Sequence, residues 1–279
     1  LTAASMKSKP VLLLCITLHL CAQGAWAQIP IGSDMRLPRT PFRLQSRAEI
    51  QLPPAVDNST RKFFPPILDQ KGGSCAQASG IGYMFTYEVN RLLDRDAHAS
   101  ADHRFSYQFS WNLLNDGQDQ GDFVDQGLYL SERYGIMTEQ DYGTSGTYQF
   151  KWATGYDKYY KAQQYRTQEV LTFADSIPLM KRWLYDAGDG SAAGGVLTFS
   201  AMSSGWDIDD DYQGPSLTGY HSLLKGLATD GAHALTIAGY DDTVVYTDAQ
   251  GTPHTGAFIV VNSWGTHSHD RGRFYLPYD

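Results

Sequence analysis

Apolar residues change their spacing once along this chain. Over residues 75–142 they recur mainly in steps of three and four, and beyond residue 195 they gather in short runs rich in Val, Ile, Leu and Thr. The first spacing is that of amphipathic helices and the second that of strands. Helices early and strands late predict an α+β chain with two segregated halves. At 279 residues, 42% of them hydrophobic, the chain can bury a sizeable core in one or two units.

Within the helical half, Ala78, Ile81, Phe85, Val89 and Leu92 make one stripe, which predicts a helix over 75–93. Gly80 and Gly82 interrupt that helix at a cost in propensity, so they imply close packing against a neighbour. Residues 104–142 read as mostly helical, with one helix over 127–134 closed by Gly135, and another helix is expected over 177–185. Strands are expected at 195–199, 234–240, 243–247, 257–261 and near 274–278. Residues 143–170 carry no clear signal, and 203–230 form a polar, Gly-rich insertion holding Asp207, Asp209, Asp210 and Asp211.

The amino terminus reads as an address. From Met6, a short basic start leads into about a dozen apolar residues and then Ala25-Trp26-Ala27, the small-x-small pattern of a signal-peptidase site. The apolar stretch is too short to span a bilayer, and His19 breaks it. Residues 1–27 are therefore expected to be a cleaved signal peptide, giving a secreted, periplasmic or cell-surface protein with no membrane span. Residues 28–62 are expected to be an N-terminal extension or short pro-segment, and 63–279 the folded domain, with its helical half near 75–142 and its β half near 195–279. The sequon Asn58-Ser59-Thr60 lies in the extension and carries no weight in the sequence alone. The net charge of -8, with no run of Lys and Arg, argues against a nucleic-acid partner.

Cleavage after Ala27 removes Cys15 and Cys21 and leaves Cys75 with no partner to oxidise against. A lone cysteine is more often a small buried hydrophobe than a reagent. Here it follows the Gly-rich turn Asp69-Gln70-Lys71-Gly72-Gly73-Ser74 and opens a helix, whose unpaired N–H groups lower a thiol pKa. Nucleophilic catalysis also needs an imidazole and a group to orient it. His233, at the mouth of a strand, and Asn262, closing a later strand, are the candidates.

The segment from Asp69-Gln70 to Gly73-Ser74-Cys75 resembles the nucleophile turn of papain-like cysteine peptidases. Ala232-His233-Ala234 with Gly239-Tyr240 resembles their histidine strand, and Asn262-Ser263-Trp264-Gly265 their asparagine motif. Gly117 and Gly121, leading to Tyr134-Gly135-Ile136 and Tyr142, resemble their substrate-binding glycine loop. The resemblance spans about residues 63–279, in the family's order of Cys, His and Asn. It implies a helical half and an antiparallel sheet or barrel with the active-site cleft between them. It also implies that Cys75 is the nucleophile, His233 the acid/base and Asn262 its orienting group. Gln70 and the Cys75 N–H would form an oxyanion hole, with substrate contacts at Gly73, Ser74, Gly121, Ala232 and Trp264. The implied activity is a secreted endopeptidase acting on peptides or proteins through a thioester, without cofactor or metal. A thiolate–imidazolium pair would give it a bell-shaped pH profile.

The chain departs from the family pattern in several places. Gln70 stands one residue closer to the cysteine, Ala76 replaces a tryptophan, and Gln120 replaces the first glycine of a pair. His267-Ser268-His269 replaces Gly-Trp-Gly, and the framework cysteines are missing. His254, His267, His269 and Asp270 lack metal-ligand spacing and read as solvated, as do the aspartates of 207–211. A papain-fold amidase or acyltransferase would use the same triad. A catalytically silent binding, adhesion or glycan-binding module on the same fold would not need it.

Overall fold

A computed structural model describes residues 11–14, 39–44, 50–116, 118–143, 152–173, 176–188, 190–248 and 251–278. The signal-peptidase motif, Cys15, Cys21 and Gly117 lie outside the described residues. Ten strands are described: β1 (Val11–Leu14), β2 (Arg39–Pro41), β3 (Ala55–Asp57), β4 (Thr167–Thr172), β5 (Leu197–Met202), β6 (Asp207–Asp209), β7 (Leu223–Gly226), β8 (Ala232–Thr247), β9 (Pro253–Val261) and β10 (Arg273–Pro277). The main sheet runs β3-β8-β9-β10-β7-β6, with β5 also on β8. It is antiparallel except where β10 meets β7.

β8 organises the β half. Its first residues pair with β5 and its middle with β3, while β9 lies along the opposite edge. The two expected strands over 234–240 and 243–247 are therefore one, carried past a register shift between Asp241 and Val245. β3 comes from the segment read as an extension, so a strand of the main sheet precedes residue 63. Next to it, buried Asn58 donates through Nδ2 to the carbonyls of Leu184 and Gly195, both at 2.8 Å. β1, β4 and β2 form a separate parallel sheet in which β4 is central. Cleavage after Ala27 would remove β1 and leave β4 paired with β2.

The helical half contains the expected helix over 75–93, but its middle is wound differently. It is α-helical over Cys75–Gln77, π-helical over Ala78–Phe85 and α-helical again over Thr86–Leu93. The Thr86 N–H accordingly reaches the carbonyl of Ile81, five residues back. Gly80 backs onto Val124 and Gly82 onto Leu68, so a Cβ at either would stand 2.9 Å or less from a neighbouring side-chain carbon. The glycines are there for approach, as their cost in propensity implies.

Further helices run over Tyr107–Leu114, Val124–Tyr134, Glu139–Tyr142, Tyr156–Ala162 and Ile177–Asp186. Gly135, at φ +70°, ends the helix Val124–Tyr134, where L side chains are strained and glycine is not.

One core joins the halves. Ile81, Met84 and Phe85 of the long helix pack in the same cluster as Leu235, Ile237 and Val260 of the sheet, all fully or almost fully buried. Each such side chain contributes roughly 2 kcal/mol by leaving water. Polar contacts then fix the register between halves. Buried Ser79, one turn beyond Cys75, donates to the Leu235 carbonyl at 2.7 Å and meets the hydroxyls of Thr236 (2.8 Å) and Thr198. The helix bearing Cys75 is thus pinned to the strand bearing His233. Among the described residues no helix is long and apolar enough to cross a membrane.

Candidate active site

Cys75 is the first residue of its helix and is half-buried. Ser74 precedes it as N-cap but makes no side-chain cap; its hydroxyl turns back to the Lys71 carbonyl at 2.7 Å. That leaves the first N–H groups of the helix facing the sulfur. The amides of Ala76, Cys75 and Ala234 all favour the thiolate, and Ala234 brings the sulfur to the residue after His233. Burial outweighs them, and with the nearby Asp122 carboxylate it pushes the thiol up from its ordinary value. The helix start acts in the expected direction but does not win.

His233 is buried at the start of β8, opposite Ala201 of β5. Its Nε2 lies 2.8 Å from Asn262 Oδ1. The same oxygen accepts the backbone N–H of Ser263 at 2.8 Å, and this decides the amide's orientation, because a backbone N–H can only donate. His233 must then carry its proton on Nε2, which leaves Nδ1 as a free base. Trp264 stacks on the imidazole with ring centres 4.7 Å apart and planes 23° apart. Trp206, from the insertion, approaches it edge-on at 6.5 Å. Burial holds the imidazole below its ordinary pKa, against the pull of Asn262.

Asn262 is itself fully buried and held at every backbone group. Its N–H donates to Gly272 and its carbonyl accepts from Tyr83 Oη, both at 2.9 Å. The turn before Cys75 is laced to this loop. Gln70 N–H donates to the Ser263 carbonyl at 2.7 Å and Gly265 N–H to Leu68 at 2.8 Å. The Gln70 side chain accepts from Ser263 Oγ at 2.5 Å and donates to the Gly72 carbonyl at 3.0 Å. Among the described residues its other amide hydrogen meets no acceptor, despite the shortened spacing to Cys75.

The glycine loop closes the other wall. Gly73 sits against the backbone of Gln120 and Gly121; a Cβ on it would stand 2.9 Å from Gln120 C and Gly121 N. Gly73 N–H donates to Asp119 Oδ1 at 2.8 Å, and Trp111 Nε1 donates to Gln120 O at 2.9 Å. Gly121 faces open space, with nothing within 4 Å of where its Cβ would be. Ala232 and Trp264 are exposed, whereas Ser74 is fully buried and can contribute only through its backbone.

The fold that carries these residues has a solved counterpart. The structure of Xylellain, a cysteine protease from Xylella fastidiosa, superposes on the chain with a TM-score of 0.58 at 20% identity, covering 86% of this chain and 85% of that one. The fold is papain-like α+β. No family model and no curated protein matches the sequence.

Three residues of the site carry no motif of their own. Asp122, beside the glycine loop, is half-buried with its Oδ2 covered, accepts from Gln77 Nε2 at 3.1 Å, and has its carboxyl pushed up to about 8 by burial. Trp206 and Asp210 come from the insertion and had only its polar composition to mark them. The expectation that His269 is a solvated loop residue fails. Its side chain is 10% exposed, its ring meets Phe274 edge-on at 5.1 Å, and its Nε2 lies 3.3 Å from Asn262 Nδ2. The only signal at the sequence level was that it stands where the resembling family has glycine. The aspartates of the insertion stay at the solvent surface, where Asp209 pairs with Lys225 at 2.5 Å and exposed Asp210 accepts from Ser222 Oγ at 2.7 Å.

Proposed function

We propose that this chain is a cysteine endopeptidase that works through Cys75, His233 and Asn262. The observation that carries the reading is the 2.8 Å contact between His233 Nε2 and Asn262 Oδ1 beneath Trp264, with the thiol of Cys75 beside the adjoining Ala234 amide. In this reading His233 Nδ1 takes the thiol proton as the sulfur attacks the scissile carbonyl. The new C–S bond pushes the carbonyl electrons onto oxygen. That oxyanion is met by the Cys75 N–H and the uncommitted Gln70 amide hydrogen.

His233 next gives its proton to the leaving nitrogen, the C–N bond breaks, and an S-acyl enzyme remains. Water attacks the thioester after losing a proton to His233. Collapse expels the sulfur, which regains that proton as the carboxylic acid departs. Gly121, bare of side chain and open, suits backbone-to-backbone pairing with an extended peptide. The leader-like residues 1–27 support export of the enzyme as part of the same reading.

The test is labelling of residues 28–279 with an epoxysuccinyl thiol-protease inhibitor, read by intact mass, followed by incubation with casein. A single adduct on Cys75, lost in His233→Ala, together with casein cleavage abolished by Cys75→Ala, is the expected result. Labelling without cleavage of any peptide would move the reading to an amidase or acyltransferase. No adduct on folded protein would overturn the catalytic assignment and favour a binding module.

A further inference from the structure

The polar chain behind His233 does not stop at Asn262. We propose that His269, backed by Asp210, is a positioning residue that fixes the side-chain amide of Asn262 and through it the tautomer of His233. The inference rests on the catalytic reading above and extends it by two residues.

The argument is one of donors and acceptors. Ser263 N–H occupies Asn262 Oδ1, so Nδ2 must face the other way. There it meets His269 Nε2 at 3.3 Å. An amide NH₂ can only donate, so Nε2 must be the unprotonated nitrogen of the ring. The proton is then on Nδ1, which lies 3.4 Å from Asp210 Oδ1 and is buried with no closer hydrogen-bond partner. Asp210 is itself held by Ser222 Oγ. Each link dictates the next, from a carboxylate on the insertion to the tautomer of His233.

The ring has little freedom to leave this place. It is wedged between Phe274 at 5.1 Å and Trp264 at 6.1 Å, and its backbone is held at φ +52°, a conformation that ordinary side chains seldom adopt. A rotated Asn262 would bring its NH₂ against both the Ser263 N–H and the His233 Nε2–H, and His269 Nε2 would lose its donor. An acceptor at His269 Nε2 therefore favours the orientation in which Asn262 can serve His233.

The test combines a spectrum with a mutant cycle. Ring nitrogen shifts of the ¹⁵N-histidine-labelled protein near pH 7.5 should show His269 as the Nδ1–H tautomer and His233 as the Nε2–H tautomer. An Nε2–H tautomer at His269 overturns the proposal whether or not the protein cleaves anything. In peptide hydrolysis, His269→Leu should lower kcat about tenfold with KM within twofold. His269→Gln, whose Oε1 can accept at the same place, should recover most of the loss. In an Asn262→Ala background His269→Leu should cost nothing further, because there is no amide left to orient. Equal losses in both backgrounds, or equal losses in Leu and Gln variants of matched thermal stability, would reduce His269 to a packing role and refute the proposal. Failure of wild-type protein to react with an epoxide or cleave peptide would instead refute the catalytic reading, leaving the tautomer measurement to decide His269.

Discussion

Ser263 Oγ donates to the side-chain carbonyl of Gln70 at 2.5 Å, while the two residues also share a backbone hydrogen bond at 2.7 Å. The loop that carries the orienting asparagine thus also aims the amide proposed for the oxyanion. Ser263→Ala removes the side-chain half of that tie and leaves the backbone half. Its expected effect is a fall of about tenfold in kcat, corresponding to ~1.4 kcal/mol for one hydrogen bond. Steady-state kinetics beside a thermal melt would check it, with the midpoint moving little.

The pH profile follows from two shifts of opposite sign. Burial lowers His233 and raises Cys75, so the state with a single proton shared between them spans a wide range. The profile of kcat/KM should still be a bell, but its acid limb should fall below the range of an ordinary imidazole and its alkaline limb above that of an ordinary thiol. This differs from a preformed thiolate–imidazolium pair, whose thiol limb would lie far lower. Rates of Cys75 alkylation against pH would read the same two steps without substrate.

Asp122 supplies a stability test. Its carboxyl, pushed up to about 8, is held protonated in the folded chain at pH values where the unfolded chain ionises. Its contribution is therefore fully present below the ordinary carboxylate range and is lost as pH rises from there through about 8. Asp122→Asn keeps an acceptor for Gln77 and removes the titration. The variant should gain stability over wild type by on the order of 2 kcal/mol at pH 8 and far less at pH 4. Denaturant unfolding at both values checks the sign. With the neighbouring charge gone, the alkaline limb of Cys75 alkylation should also move down.

Gly73→Ala tests the wall of the cleft. The added Cβ meets backbone atoms of Gln120 and Gly121 at 2.9 Å, and backbone cannot swing aside as a side-chain tip can. Separating the Cys75 turn from the glycine loop should cost about 1–3 kcal/mol in packing and raise KM more than it lowers kcat. An unchanged KM would mean that the loop does not line the substrate site.

Local chemistry was readable where it repeats or where its order is fixed. The stripe from Ala78 to Leu92 gave the long helix its ends, and Gly135 closed the segment Val124–Tyr134 just where a positive φ was needed. The π-wound turn over Ala78–Phe85 was not readable, because apolar steps of three and four do not distinguish a wider winding. β3 is only three residues long and exists because β8 offers an edge, so nothing in Ala55-Val56-Asp57 announces it. The site divides in the same way. Cys75, His233 and Asn262 stand in motifs, and His233 and Asn262 meet at hydrogen-bond distance. His269 and Asp122 matter through burial, and exposed Asp210 through what it faces across the fold, which spacing along the chain does not encode.

Asn58 begins a sugar-acceptor triplet, yet its amide nitrogen spends its hydrogens on the carbonyls of Leu184 and Gly195. Closing the domain and accepting a glycan are therefore competing fates for one atom. In a compartment with an oligosaccharyltransferase, whichever event came first would exclude the other, and a chain decorated at Asn58 could not form the full clasp that joins the end of β3 to the helix Ile177–Asp186. Expression in such a host would sort the product into unmodified folded chains and modified chains lacking that clasp, with the ratio set by how quickly residues 184 and 195 arrive.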